Sequence, residues 1–178
     1  MSTVPLRPLG RTRLVVSRLG FGLAAVGRPG YINLGRDRDL PAVRTPEALY
    51  ARTAALLDAA RASGIRYVDT ARSYGRAEEF LARWLAERRV PRDALTLGSK
   101  WGYRYTAGWS VTAAVHEEKE LSLERFTAQL AETRALLGDR KIRGSRAHHE
   151  HAPRSPRGPT APRAGHDHRA GGFIPGRV

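Results

Sequence analysis

Three side chains of complementary chemistry, Asp69, Tyr74 and Lys100, fall where two short apolar runs end. Asp69 terminates Tyr67-Val68-Asp69, Tyr74 follows in the loop Thr70-Ala71-Arg72-Ser73-Tyr74-Gly75, and Lys100 closes Gly98-Ser99-Lys100. A phenol with an ordinary pKa of about 10 is a poor proton donor at neutral pH unless a cation stabilises its phenolate. A lysine beside it supplies that cation, and a carboxylate positions the lysine. Asp, Tyr and Lys together suit the reduction of a carbonyl, in which hydride arrives on carbon while a proton is delivered to oxygen. Asp69 and Lys100 also admit a plainer reading, an ion pair that joins two strand ends.

For these groups to meet, the runs that carry them must be neighbouring parallel strands, because residues at the carboxyl ends of adjacent strands converge on one face in barrel-type α/β proteins. The chain alternates short strand-like runs with longer helical ones, the pattern of successive βα units. Residues 6–16 read as a small hairpin around Gly10-Arg11-Thr12, leading to a first strand at about 19–22. The next helix spans 45–62, opened by Thr45 as N-cap, Pro46 and Glu47, with Leu49, Thr53, Leu56 and Ala60 on one face. Gly64 ends it, and 65–69 form the second strand. A helix over 77–87 aligns Ala77, Phe80, Leu81, Trp84 and Leu85 in an apolar stripe. The third strand is 95–99. A long loop follows, from Trp101 to about Leu121, whose aromatic residues either line a pocket or pack against the body of the protein. A third helix at 122–137 carries Leu123, Phe126, Leu130 and Leu137 toward the core. Tyr67 and Trp84 read as core residues and His116 as a surface one.

The stretch from Gly64 to Gly75, followed by Glu78-Glu79 and an amphipathic helix, resembles the aldo-keto reductase signature of a strand-ending Asp and a downstream Tyr-Gly. Leu9-Gly10, the run from Val16 to Gly22, and the Ser99-Lys100 strand end are similar to the same family in order and spacing. The resemblance covers about residues 6–140. It implies an α/β fold of the (β/α)₈ TIM barrel class and an NADPH- or NADH-dependent reductase. Tyr74 would be the proton donor, with Lys100 lowering its pKa and Asp69 orienting the lysine. Gly22 would lie near the nicotinamide, so that Gly22 and Asp69 are the expected cofactor-side residues. The substrate would be a small carbonyl compound, an aldehyde or a ketone.

The resemblance stops soon after the third helix. Family members run there into a fourth strand that ends in a catalytic His, whereas Lys141-Ile142-Arg143-Gly144-Ser145-Arg146-Ala147 shows no apolar strand. His148 lies near the expected position but has no legible strand to aim it. At 178 residues the chain is short of the roughly 250 of a full barrel, so the expectation is the first three βα units, residues 1–140, plus a basic, disordered tail over 141–178. Leucine occurs 19 times before residue 139 and never after it, while five of the six histidines lie beyond it. A shifted reading frame from about Lys141 accounts for that break. A catalytically inactive fragment is the alternative to an active enzyme.

Composition narrows the remaining classes. There is no cysteine, hence no disulfide framework. No apolar run is long enough for a membrane span or a signal-peptide core, which makes the cytoplasm the expected location. The net charge of +14 raises the question of a nucleic-acid partner. Only Lys100, Lys119 and Lys141 of the 31 basic residues are lysines, an arginine bias that GC-rich coding also produces, and base-reading motifs are absent. No specific nucleic-acid partner is therefore expected. The tail histidines fit no recognised metal-ligand spacing, and no metal is expected.

Overall fold

In the computed structural model the described residues are 4–30, 43–138, 140 and 146–147, all within one unit that spans Met1–His148. The elements run β1 (Leu6–Pro8), β2 (Val15–Ser17), β3 (Phe21–Gly22), α1 (Pro46–Ala62), β4 (Tyr67–Asp69), α2 (Ala77–Glu87), β5 (Thr96–Gly98), β6 (Lys100–Trp101), β7 (Tyr103–Tyr105), β8 (Glu117–Lys119), α3 (Leu123–Leu137) and β9 (Arg146–Ala147). β1 and β2 form the expected antiparallel hairpin, its turn closed by the Thr12 hydroxyl donating to the Leu9 carbonyl at 2.6 Å.

The central sheet has the order β3-β4-β5 and is wholly parallel, with Gly22 opposite Asp69 and Asp69 opposite Gly98. Such a sheet needs a crossover between each pair of strands, and α1 and α2 supply them. The start of α1 is set by local chemistry: Thr45 caps it by accepting from the Ala48 amide at 3.2 Å, and Pro46 takes the first turn, where no amide partner is lost. Gly64, at φ 85°, turns the chain out of the helix in a conformation that favours glycine.

Side chains alternate along each strand. Val68 and Leu97 join the core with Leu49, Leu57, Phe80, Leu81, Trp84 and Leu85 of the helices. Trp84 is wholly buried, and its indole N–H donates to Asp58 of α1 at 2.9 Å, so the largest core ring carries no unsatisfied donor. Fully burying side chains of this size stabilises by about 1.5–3 kcal/mol each. The opposite alternation set, Tyr67, Asp69 and Gly98, faces away from the helices, and Tyr67 is only partly buried instead of forming part of the core.

Three local readings of the sequence need correction. On α1, Leu57 takes the wholly buried place and Leu56 only packs at its margin. On α3, Leu123 is 79 % exposed and the buried side chains are Gln129, Thr133 and Leu137. The reason is polar: the Thr133 hydroxyl meets the Glu78 carboxylate at 3.0 Å, while Gln129 accepts from the Gly102 amide at 3.0 Å and donates to the Tyr103 carbonyl at 2.9 Å. The stretch from Trp101 to Leu121 is not one irregular loop, because β7 and β8 pair in an antiparallel hairpin with Tyr105 opposite Glu117.

A further difference appears beyond Arg140. β9 pairs in parallel with β6, Arg146 opposite Lys100, next to the third strand of the expected barrel wall. Two residues paired through their backbone leave no hydrophobic period in the sequence, and so no strand is legible there. His148, the rest of the expected tail and the shifted-frame reading lie outside the described residues.

Candidate active site

Asp69 ends β4 and Lys100 starts β6, two residues past Gly98, the partner of Asp69 in the sheet. That register puts both side chains on the face opposite the helices. The Lys100 ammonium is ion-paired to Asp69 Oδ2 and also donates to the Thr70 carbonyl at 3.2 Å. Its Nζ lies 4.8 Å from the centroid of the Tyr74 ring. The three sequence-derived residues are thus together. An ion pair by itself does not describe the arrangement, since the phenol ring adjoins the cation.

Burial acts against the charge on Lys100, but the hydrogen bond and charge of Asp69, followed by those of Tyr74, outweigh it and raise its pKa above the ordinary 10.5. A group raised in this way adds stability that is present below about pH 10.5 and is lost as pH climbs through the folded-state value. Asp69→Asn removes the main raising partner and leaves burial in control, so the Lys100 pKa should fall. Amines acylate only when neutral, and the chain has just three lysines. Competitive acetylation at neutral pH, read by peptide mass with Lys119 as the internal standard, should show Lys100 labelling about tenfold faster in Asp69→Asn. An unchanged ratio would contradict the account of this pair.

Tyr74 is 7 % exposed and is held by backbone contacts. Its amide donates to the Ala71 carbonyl at 3.1 Å and its carbonyl accepts from Ala77 at 3.1 Å, so the tyrosine sits in a turn closed just before α2. The Arg76 amide reaches across to the Gly27 carbonyl at 2.7 Å. A Cβ at Gly27 would overlap the Tyr74 carbonyl oxygen and lie 2.5 Å from the Ala77 Cβ. Further along, Thr70 donates to the Gly98 carbonyl at 2.8 Å and Arg72 to the Lys100 carbonyl at 3.3 Å. The strand ends and the tyrosine loop are therefore joined by main chain, which fixes geometry with little dependence on side-chain rotamers.

Two charged residues that sequence reasoning did not single out support this face. Glu78, buried to 1 % exposure at the start of α2, accepts from Ser99 at 2.5 Å, from Thr133 and from Arg72 at 3.0 Å. It thereby joins the residue before Lys100 to the loop that leads to Tyr74. Arg28, 2 % exposed, lies in the segment after β3 with its guanidinium carbon 5.9 Å from the Tyr74 ring centroid. Neither has a periodic signal; only the conjunction of Glu78 with the Tyr-Gly pair hinted at the first.

Gly22 lies opposite Asp69, and a Cβ there would meet nothing within 4 Å. The strand end next to the carboxylate is thus open, which leaves room for a flat ring beside Asp69. The aromatic stretch packs: Trp101 lies edge-on to Phe126 at 5.0 Å, and Trp109 lies edge-on to Phe80 at 6.2 Å while donating to the Arg44 carbonyl at 2.8 Å. His116 is partly buried. Among the described residues no group of three or more His, Cys, Asp or Glu could hold a metal ion, and no helix is long and apolar enough to cross a membrane.

Residues 18–141 match the sequence profile of the aldo/keto reductase family. The aldo-keto reductase str7 of Strobilurus tenacellus is 30 % identical over 123 residues, 69 % of this chain and 33 % of that protein. A crystal structure of a Pseudomonas aeruginosa protein assigned as an aldo-keto reductase superposes with a TM-score of 0.61 at 28 % identity, covering 83 % of this chain and 49 % of its own. A second structure from that organism, assigned in the same way, gives 0.59 at 27 %, with 83 % and 48 % covered. The chain spans a third of the length of the fungal relative and about half of the bacterial ones. Those neighbours are barrel proteins, and the described residues correspond to the beginning of such a barrel. A profile match that runs through all three βα units, together with solved structures that share them, makes this chain a member of the aldo/keto reductase family.

Proposed function

We propose that the chain carries the proton-delivery face of an NAD(P)H-dependent carbonyl reductase acting on a small aldehyde or ketone. The observation that carries this reading is the Lys100 ammonium, ion-paired to Asp69 and set 4.8 Å from the centroid of the Tyr74 ring at the carboxyl ends of parallel strands. Tyr74 gives its hydroxyl proton to the carbonyl oxygen as charge develops there. Lys100 offsets the negative charge left on the phenol oxygen, and Asp69 keeps the lysine ionised and aimed. The reduced nicotinamide, when bound, supplies the hydride to the carbonyl carbon. Gly22 and Asp69 border the open strand end where its ring fits, in agreement with the space beside Gly22. The chemistry belongs to residues 1–140 on this reading.

The chain should bind NADPH or NADH and consume it when an aldehyde is added, followed by loss of the reduced nicotinamide's absorbance. A second reading is favoured by the relatives, which extend well beyond the matched part: the chain keeps the Asp-Tyr-Lys face but turns nothing over. Binding of neither cofactor, with no turnover across a panel of aldehydes and ketones, would select that second reading.

A further inference from the structure

The most unusual group near the candidate site is Arg28. It is 2 % exposed, ion-paired through NH1 to Glu117 of β8, and within 3.4 Å of the Ser73 carbonyl through the same nitrogen. A buried ion pair is a weak source of stability compared with apolar residues of the same volume, because both charges lose their hydration. Its presence needs another reason, and its surroundings suggest one. The guanidinium carbon lies 5.9 Å from the Tyr74 ring centroid, so the arginine grips the peptide just before the tyrosine and also brings a positive charge to the ring.

We propose that Arg28 is a positioning residue for Tyr74, fixing the phenol in its loop and adding a second cation beside the ring, with Glu117 of the β7–β8 hairpin setting how much of that charge the ring feels. The inference rests on the reading of Tyr74 as proton donor. Charged groups from different segments bear on the phenol. Lys100 comes from β6, Asp69 acts through it from β4, Arg28 comes from the segment after β3, and Glu117 stands behind Arg28 on β8. The charge of Arg28 also acts on Tyr105, on β7, and helps to moderate the rise that burial imposes on that phenol's pKa. The hairpin is thereby coupled to the proton donor: a displacement of β8 that removes Glu117 changes the charge beside Tyr74.

The test compares the full chain with Arg28→Lys, Arg28→Met and the double exchange Arg28→Glu with Glu117→Arg. The exchange keeps an ion pair between segment and hairpin but moves the cation away from the ring, so a purely structural latch would be restored by it. Nitration of tyrosine proceeds through the phenolate, and tetranitromethane labelling of Tyr74, read by peptide mass, needs no turnover. Tyr74 nitration should fall about tenfold in Arg28→Met, stay low in the exchange even where its melting temperature recovers, and return most of the way in Arg28→Lys. Equal or undetectable Tyr74 nitration in the unmodified chain and in Arg28→Met overturns the proposal, as does full recovery in the exchange. Where turnover is measurable, Arg28→Met should lower kcat and leave KM for the carbonyl within about twofold. A kcat that survives Tyr74→Phe removes the underlying reading, whereas loss in Tyr74→Phe without loss in Arg28→Met removes only the role of Arg28.

Discussion

On the proposed reading, Tyr74→Phe is expected to lower NAD(P)H-dependent carbonyl turnover by about 10²–10⁴-fold, the range that a positioned general acid contributes. The substitution keeps the ring, so the packing of a residue only 7 % exposed is preserved and the melting temperature should barely change. Loss of activity with retained stability separates a chemical role from a structural one. A second signature accompanies it. The Tyr74 side chain helps to raise the Lys100 pKa, so removing the hydroxyl should let that pKa fall and make Lys100 acetylate faster. On the same reading the variant should keep its parent's affinity for the reduced cofactor, since the hydroxyl would serve the carbonyl. Near-normal reduction by Tyr74→Phe, in a preparation whose parent is active, would end the assignment of Tyr74 as donor.

Gly27→Ala should have the largest effect on stability of any single methyl addition in the region. The new Cβ would overlap the Tyr74 carbonyl oxygen and come within 2.9 Å of the Ala77 Cα, and both obstacles are main chain or close to it. Neither can rotate away as a long side chain could, so the segment after β3 must separate from the tyrosine loop and lose the Arg76–Gly27 hydrogen bond. Overpacking of this kind costs about 3 kcal/mol, or about 10 °C of melting temperature for a chain of this size. Gly22→Ala is the control, because its added methyl meets nothing within 4 Å and its melt should match that of the parent. A melting temperature for Gly27→Ala within a degree or two of the parent would show that the close approach of the two loops is dispensable.

The elements with strong local signals are readable without coordinates. Thr45 and Pro46 define the start of α1 by capping chemistry, and the Ala77-Phe80-Leu81-Trp84-Leu85 stripe defines the buried face of α2 by its period. Asp69, Tyr74 and Lys100 are readable as a group because strand ends in a parallel sheet point the same way, and Gly22 lies at its expected strand end beside Asp69. What the sequence hides has a common cause. α3 packs through Gln129 and Thr133, whose buried hydrogen bonds look like a solvated surface in the sequence, so the exposed Leu123 reads wrongly as core. β9 is a two-residue strand, too short to leave a hydrophobic period in the sequence. Arg28 is one arginine among many in the sequence, and only the fold shows that it is the buried one beside Tyr74.

The site is assembled from segments far apart in the chain. Arg28 reaches Ser73 across 45 residues and Glu117 across 89, and Lys100 reaches Asp69 across 31. Each contact closes a loop whose entropy must be lost before any of the interaction is gained. Order at Tyr74 therefore depends on closures whose entropic cost exceeds that of the local helical hydrogen bonds, and whatever loosens these segments from one another should disturb the chemical arrangement.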